Sequence, residues 1–250
     1  MGSVASLIGR TRSIPCIGEG LSKLGYELAQ VPKDDPQPGD ILVLWNRLPT
    51  MNDTANRYEL AGCPVIICEH GWIGEDTYAV ALSQHNGLGH WHVGEESRWP
   101  GFGIDTKPWR ESGDHILVIP QRGMGVPPVA MPRDWSERTV NWLKGITDRP
   151  IRVRNPKHRR TPLEPEFENC HAVVTWASGA GIKAIVAGIP VFYEMLNWIG
   201  WPAARFTPAT PNIENPYLGE RNTMLHSLSW AMWKDTEIAT GEPFRCVLQS

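Results

Sequence analysis

The run Val173-Val174-Thr175-Trp176-Ala177-Ser178-Gly179-Ala180-Gly181 leads from an apolar, strand-like stretch through small residues straight into a helix-like one. Small side chains let a ligand approach the backbone. A helix N-terminus offers unpaired N–H groups and the positive end of its dipole to an anion. Thr175, Ser178, Gly179 and Ala180 are therefore candidate anion-binding residues, with Lys183 about one turn further in. Tight strand–helix packing without a ligand accounts for the same pattern, so the segment alone leaves both readings open.

Two further segments carry matching chemistry. In Arg149-Pro-Ile-Arg-Val-Arg-Asn-Pro-Lys-His-Arg-Arg160, a strand would turn Arg152 and Arg154 to one face. Asn155-Pro156 would end it and leave Lys157, His158, Arg159 and Arg160 in the following loop. Guanidinium groups bind a diphosphate bidentately, although a solvated basic loop explains some of these charges. Gln121-Arg122-Gly123-Met124-Gly125 follows another apolar run, and its glycines permit a tight turn around a ligand.

A different chemistry stands at Cys68-Glu69-His70-Gly71-Trp72. A carboxylate and an imidazole directly after an apolar strand could deprotonate a hydroxyl, if their surroundings bring a pKa near working pH. Neighbours on a strand face opposite ways, so only one of the two can face a given ligand. A Glu fixing a turn by hydrogen bonds is the plainer alternative. His85, His90 and His92 near Trp91 form no fixed ligand frame, and no metal site is expected.

The elements that must position these residues follow from the patterning. Residues 41–45 and 63–68 are β-like runs around a polar, helix-compatible stretch at 52–61, which implies a parallel pair with a crossover helix. Residues 69–109 are rich in Gly, His and Trp and read as long loops around short strands such as 78–82. Alternation resumes with a strand at 115–120 and a helix from Asp134 or Ser136 to about Lys144. It continues through a strand at 151–154, a short helix at 163–168 and a strand at 172–175. A helix at 179–187 and a strand at 189–192 complete it. Residues 221–234 read as an amphipathic helix. The expected organisation is a first α/β half at 1–112, a second at 113–218, and a C-terminal helix and tail at 219–250.

With 41% apolar and 20% charged residues, the 250-residue chain is globular rather than disordered. No apolar run approaches the roughly 20 residues of a membrane span, and no signal peptide is visible, so a soluble, cytoplasmic protein is expected. The net charge of −3 supplies no overall basic field for nucleic acid. The five cysteines show neither a CxxC pair nor zinc-type spacing, and read as reduced thiols. Twelve tryptophans are many for this length, enough for some to line a ligand cleft.

The segment VVTWASGAGIKAIVAGIPVF resembles the donor-half signature of GT-B glycosyltransferases, a small Ser/Gly turn before a helix ending Ala-x-x-x-Gly-x-Pro-Val. IRVRNPKHR is similar to the Arg-x-His-Pro type segment that precedes it there, with Pro156 and His158 in altered order. ILVIPQRGMG resembles the first strand and loop of that half. CEHGWIGEDTYAVALSQHNGLG resembles the Glu-x-Gly…Gly-x-Asn stretch of capsule-type polysaccharide glycosyltransferases, here with Asn86 before Gly87. In general style the chain also looks like phage-encoded enzymes that glycosylate hydroxymethylated pyrimidines in DNA.

The resemblance implies an α/β fold of two Rossmann-like halves facing across a cleft. The C-terminal half would hold a nucleotide-sugar, UDP-linked by expectation, and no further cofactor or metal is expected. Arg122, Gly123, Arg152, Arg154, His158, Thr175, Ser178, Gly179, Ala180 and Lys183 would bind the donor, with Glu194 on its ribose. Glu69 would be the base, with His70 as its substitute, and Trp72, Asn86, Trp91 and Trp99 would serve the acceptor. The favoured acceptor is a modified pyrimidine in double-stranded phage DNA, ahead of a surface polysaccharide. A non-catalytic nucleotide-sugar binding module and an epimerase or hydrolase on the same scaffold are the other classes.

Overall fold

The computed structural model describes residues 2–74, 76–84, 88–121, 123, 125–154, 161–208 and 212–249. The strands are β1 (Val4–Ile8), β2 (Glu27–Ala29), β3 (Ile41–Trp45), β4 (Val65–His70), β5 (Thr77–Leu82), β6 (His115–Ile119), β7 (Ile151–Val153), β8 (Cys170–Thr175), β9 (Val191–Tyr193), β10 (Arg205–Phe206) and β11 (Met232–Lys234). The helices are α1 (Pro15–Lys23), α2 (Asn52–Leu60), α3 (Trp135–Lys144), α4 (Glu164–Phe167), α5 (Gly179–Val186), α6 (Arg221–Ala231), α7 (Asp235–Ile238) and α8 (Glu242–Leu248). The chain divides into two compact units, Met1–Arg98 with Ser229–Ser250, and Trp99–Leu228.

In the first unit the sheet order is β11-β5-β4-β3-β1-β2. The four strands β2, β1, β3 and β4 run parallel, and β5 runs antiparallel to its two neighbours, β4 and β11. β1, β3 and most of β4 are buried, as near-continuous apolar runs covered on both faces must be. On one face, Ile66 and Cys68 of β4 join a core with α1 and the C-terminal segment. On the other, Val65 and Ile67 pack with Ala55 and Tyr58 of α2. β1 leads to β2 on one side and the chain then returns to β3 on the other. The strand order therefore reverses between β1 and β3.

The C-terminal segment belongs to this unit. Met232–Lys234 pair with β5, so α6 ends at Ala231 rather than continuing to Lys234. α7 and α8 lie against α1 at glycine contacts too close for a side chain. A Cβ on Gly20 would stand 2.1 Å from the Ile238 carbonyl oxygen, and one on Gly241 2.6 Å from that of Gly20.

The second unit is an all-parallel sheet of order β10-β9-β8-β6-β7, with its reversal between β6 and β8. Its core includes Val118, Trp135, Leu143, Val174 and Phe192. Residues 99–112, placed by sequence patterning before the second half, pack with it. Lys107 N donates to Val186 O at 2.9 Å, Arg110 N to Gly188 O at 2.7 Å, and the Arg110 guanidinium to Phe167 O and Cys170 O. Trp99 accordingly lies in the second unit and not with the loops after β4. Among the described residues no helix is long and apolar enough to cross a membrane.

Candidate functional site

In open α/β sheets ligands bind outside the carboxyl ends of the strands, where the strand order reverses. In the second unit that place lies between the residues following β6 and those following β8. β8 ends in Thr175, whose buried hydroxyl donates to Ile119 O at 2.9 Å and so ties β8 to the end of β6. The same oxygen accepts from Ser178 N at 3.1 Å. Ser178 then caps α5, its Oγ accepting from Ala180 N at 3.2 Å. An N-cap side chain of this kind satisfies one of the orphan donors of a helix start. Thr175 thus braces the turn from inside, and its expected direct ligand contact is not what the geometry offers. Ser178, Gly179 and Ala180 are half-buried at the turn itself, and Lys183 is exposed one turn on.

The close packing behind the turn explains its glycines. A Cβ on Gly181 would stand 2.9 Å from the Trp198 ring and 3.2 Å from the Thr175 methyl. Across the crevice, Gln121 N donates to Met131 Sδ at 3.2 Å. Gly123 adopts φ +65°, and a Cβ there would meet Met131 O at 3.1 Å. Arg122 and His158 lie outside the described residues.

The arginines of β7 divide rather than sharing a role. Arg154 follows the strand, is buried, and pairs with Glu166 while donating to Thr161 O at 2.8 Å. Arg152 is exposed. Its charge acts on His115 and Cys170, which begin β6 and β8, at the end of the sheet opposite the Ser178 turn. The expectation that both arginines present one ligand-binding face is therefore corrected for Arg154. Arg154 is committed to an internal ion pair, as a buried guanidinium must be. Glu194, just past β9, accepts from Trp135 Nε1 at 2.7 Å and from Arg138 at 3.4 Å. It is held in place, half-buried, at the carboxyl end of the sheet.

In the first unit, Glu69 and His70 end β4 and point to opposite faces. Glu69 is half-buried and its Oε1 is sealed from solvent. Burial pushes its carboxyl up from 4.5 to about 7, because removing water disfavours the charged form. Asn46, directly after β3, adopts φ +62°, a left-handed conformation that Asn tolerates better than most residues. This turns its side chain toward Glu69. With the amide oriented to satisfy both its ends, Nδ2 donates to Glu69 Oε2 at 3.1 Å and Oδ1 accepts from Trp45 Nε1 at 3.3 Å. Asn46 went unnoticed in the sequence. Its signal there is an Asn at the end of an apolar run, a common place for a left-handed residue.

His70 is different. Its Nε2 lies 2.8 Å from Arg10 Nη1. A guanidinium can only donate, so this nitrogen accepts and its lone pair is occupied. Burial, then the charge of Arg10, lowers the His70 pKa.

The tryptophans expected to stack on an acceptor are mostly interior. Trp72 and Trp99 are buried, because one packs edge-on against Trp91 at 5.5 Å and the other against Phe102 at 5.9 Å. Only Trp91 keeps partial exposure. Asn86 and His85 lie outside the described residues. Among the described residues no three His, Cys, Asp or Glu side chains gather as a metal group would require.

No family model matches the chain, and no curated protein matches it. Its fold is similar to that of a solved structure, Thermosulfurimonas dismutans KpsC, beta Kdo 2,7 transferase. The TM-score is 0.57 at 11% sequence identity, covering 99% of this chain and 100% of that one. The likeness concerns architecture alone: α/β, with two parallel-rich sheets.

Proposed function

We propose that the protein is a glycosyltransferase that moves a sugar from a nucleotide-sugar to a hydroxyl of a surface polysaccharide. The observation that carries this reading is Glu69, a carboxyl raised by burial to about 7 at the end of β4, in a fold shared with a Kdo transferase. A base of that pKa is half ionised near neutrality and still accepts a proton from an alcohol in the transition state. His70 serves poorly as its substitute, because Arg10 occupies the ring nitrogen that would take the proton.

On this reading the donor diphosphate sits at the reversal of the second sheet, against the start of α5, where the helix dipole and free N–H groups favour an anion. Gln121 and Gly123 would form the facing wall, Thr175 braces the turn, and Glu194 would accept from the ribose. These groups stabilise the leaving nucleotide as charge develops on it.

The polysaccharide acceptor is preferred over modified DNA. The fold neighbour is named a beta Kdo 2,7 transferase, and the chain carries net charge −3. The test is incubation with a panel of nucleotide-sugars that includes activated Kdo and UDP-linked hexoses. Oligosaccharide fragments of acidic and neutral polysaccharides and hydroxymethylated DNA are offered as acceptors, and mass spectrometry reads the products. A mass gain on an oligosaccharide supports the proposal. A gain on DNA alone overturns the acceptor assignment, and donor hydrolysis or isomerisation without any acceptor overturns transfer itself.

A further inference from the structure

At the reversal point of the first sheet, the turn after β1 lies directly on the end of β3. Gly9 turns there with φ +74°, and a Cβ on it would stand 3.3 Å from Trp45 Cβ. The turn presents Arg10, an exposed residue whose guanidinium sits 5.0 Å from the Trp45 ring centroid. Its Nη1 is bound to His70 Nε2 at 2.8 Å. Trp45 and His70 meet edge-on at 4.9 Å, and Tyr78 of β5 lies parallel to His70 at 6.4 Å.

The guanidinium is therefore fixed by a ring beneath it and an imidazole beside it, although it is exposed. Among the described residues no carboxylate pairs with it. A cation ordered in advance without a counter-charge is disposed to bind an anion, because its side-chain entropy is already lost before binding. Asp235 and Asp76, together with Cys16, act on Tyr78.

We propose that Arg10, with Trp45, His70 and Tyr78, forms an oxyanion subsite that takes a carboxylate or phosphate group of the acceptor. The assignment of that anion to the acceptor rests on the glycosyltransferase reading. Glu69 and His70 are consecutive on β4, about 3.8 Å apart at their Cα atoms. Because the two side chains leave β4 on opposite faces, an acceptor would have to reach round the end of the strand, its charged group on the His70 face and its reacting hydroxyl on the Glu69 face.

The His70 ring reports on the subsite without turnover. Its ionisation midpoint is followed by NMR in the full chain, with the resonance assigned by loss in His70→Gln. Titrations are made alone and with millimolar glucuronate, glucose 1-phosphate or neutral glucose. An anion seated on Arg10 offsets the charge that lowers His70, so the midpoint should rise by about 0.5 pH unit with one or both anions and not with glucose. A response to glucuronate alone assigns a carboxylate, and a response to the phosphate alone assigns a phosphate. Arg10→Gln should raise the midpoint of the free protein and abolish the response to anions. No anion response in the wild type, or a response that survives in Arg10→Gln, overturns the subsite. An intact response in a protein that transfers sugar to no acceptor overturns the glycosyltransferase reading and leaves the anion subsite standing.

Discussion

Replacing Glu69 by Gln tests whether burial has reset this carboxyl, and its effect on stability can be worked from the structure. In the unfolded chain the group ionises near 4.5, and in the folded chain near 7. Between those values the unfolded state holds fewer protons than the native state, so raising the pH favours unfolding. The cost is absent below about 4.5, grows through the interval, and is complete above about 7. At about 1.36 kcal/mol per pH unit the full interval amounts to roughly 3 kcal/mol. Glu69 keeps some exposure, and solvent screening brings this closer to about 2 kcal/mol. Glutamine has the same shape and never ionises.

Urea denaturation of both proteins at pH 4.5 and pH 8.5 isolates this term, because every other titrating group cancels in the difference. Glu69→Gln should gain about 2 kcal/mol relative to wild type between the two conditions. A difference that stays within about 0.5 kcal/mol across that range would mean that the carboxyl ionises normally, and the argument for Glu69 as a base tuned by burial would fail.

Asn46→Gly keeps the left-handed backbone and removes the amide that favours ionised Glu69, so the midpoint of the rising limb of activity against pH should move up by about 0.5 to 1 unit; a pH–rate profile measures it. Ser178→Ala deletes the cap of α5 and should lower stability by about 1 kcal/mol while raising the apparent Kd for donor, as denaturation and calorimetric titration would show. Gly20→Ala forces a methyl against the Ile238 carbonyl oxygen 2.1 Å away. It should cost about 1–3 kcal/mol and speed proteolysis of the C-terminal segment, with little change in donor affinity.

The elements that carry their own hydrophobic pattern were readable before the fold was known. The runs of β3, β4, β6 and β8 stand out as apolar stretches, and the small-residue passage from β8 into α5 announced its turn. β1 was overlooked, since five apolar-to-small residues near a chain end carry no flanking turn signal as strong as Pro38-Gly39-Asp40. With it went Arg10, which becomes meaningful only once Val4–Ile8 is a strand and Gly9 its turn. Met232–Lys234 read as helix because its strand character exists only through pairing with β5. The tertiary partner overrides local preference there.

Within the candidate site, Glu69 was legible as a carboxylate ending an apolar run. Its contact with Asn46 was not, because that depends on one backbone dihedral. Arg154 and Trp72 show the opposite limit. Sequence identifies an arginine or a tryptophan that could bind a ligand, but whether it is spent on an internal partner is decided by packing. Arg154 meets Glu166 twelve residues on, and Trp72 meets Trp91 across a loop.

The most direct measurement is nucleotide release from the donor by wild type and Glu69→Gln, with and without an oligosaccharide acceptor, alongside donor binding by each. The account predicts acceptor-dependent release by wild type, rising with pH through about 7. It predicts release lowered by at least about a hundredfold in Glu69→Gln, at unchanged donor affinity. Equal release by the two proteins would contradict it.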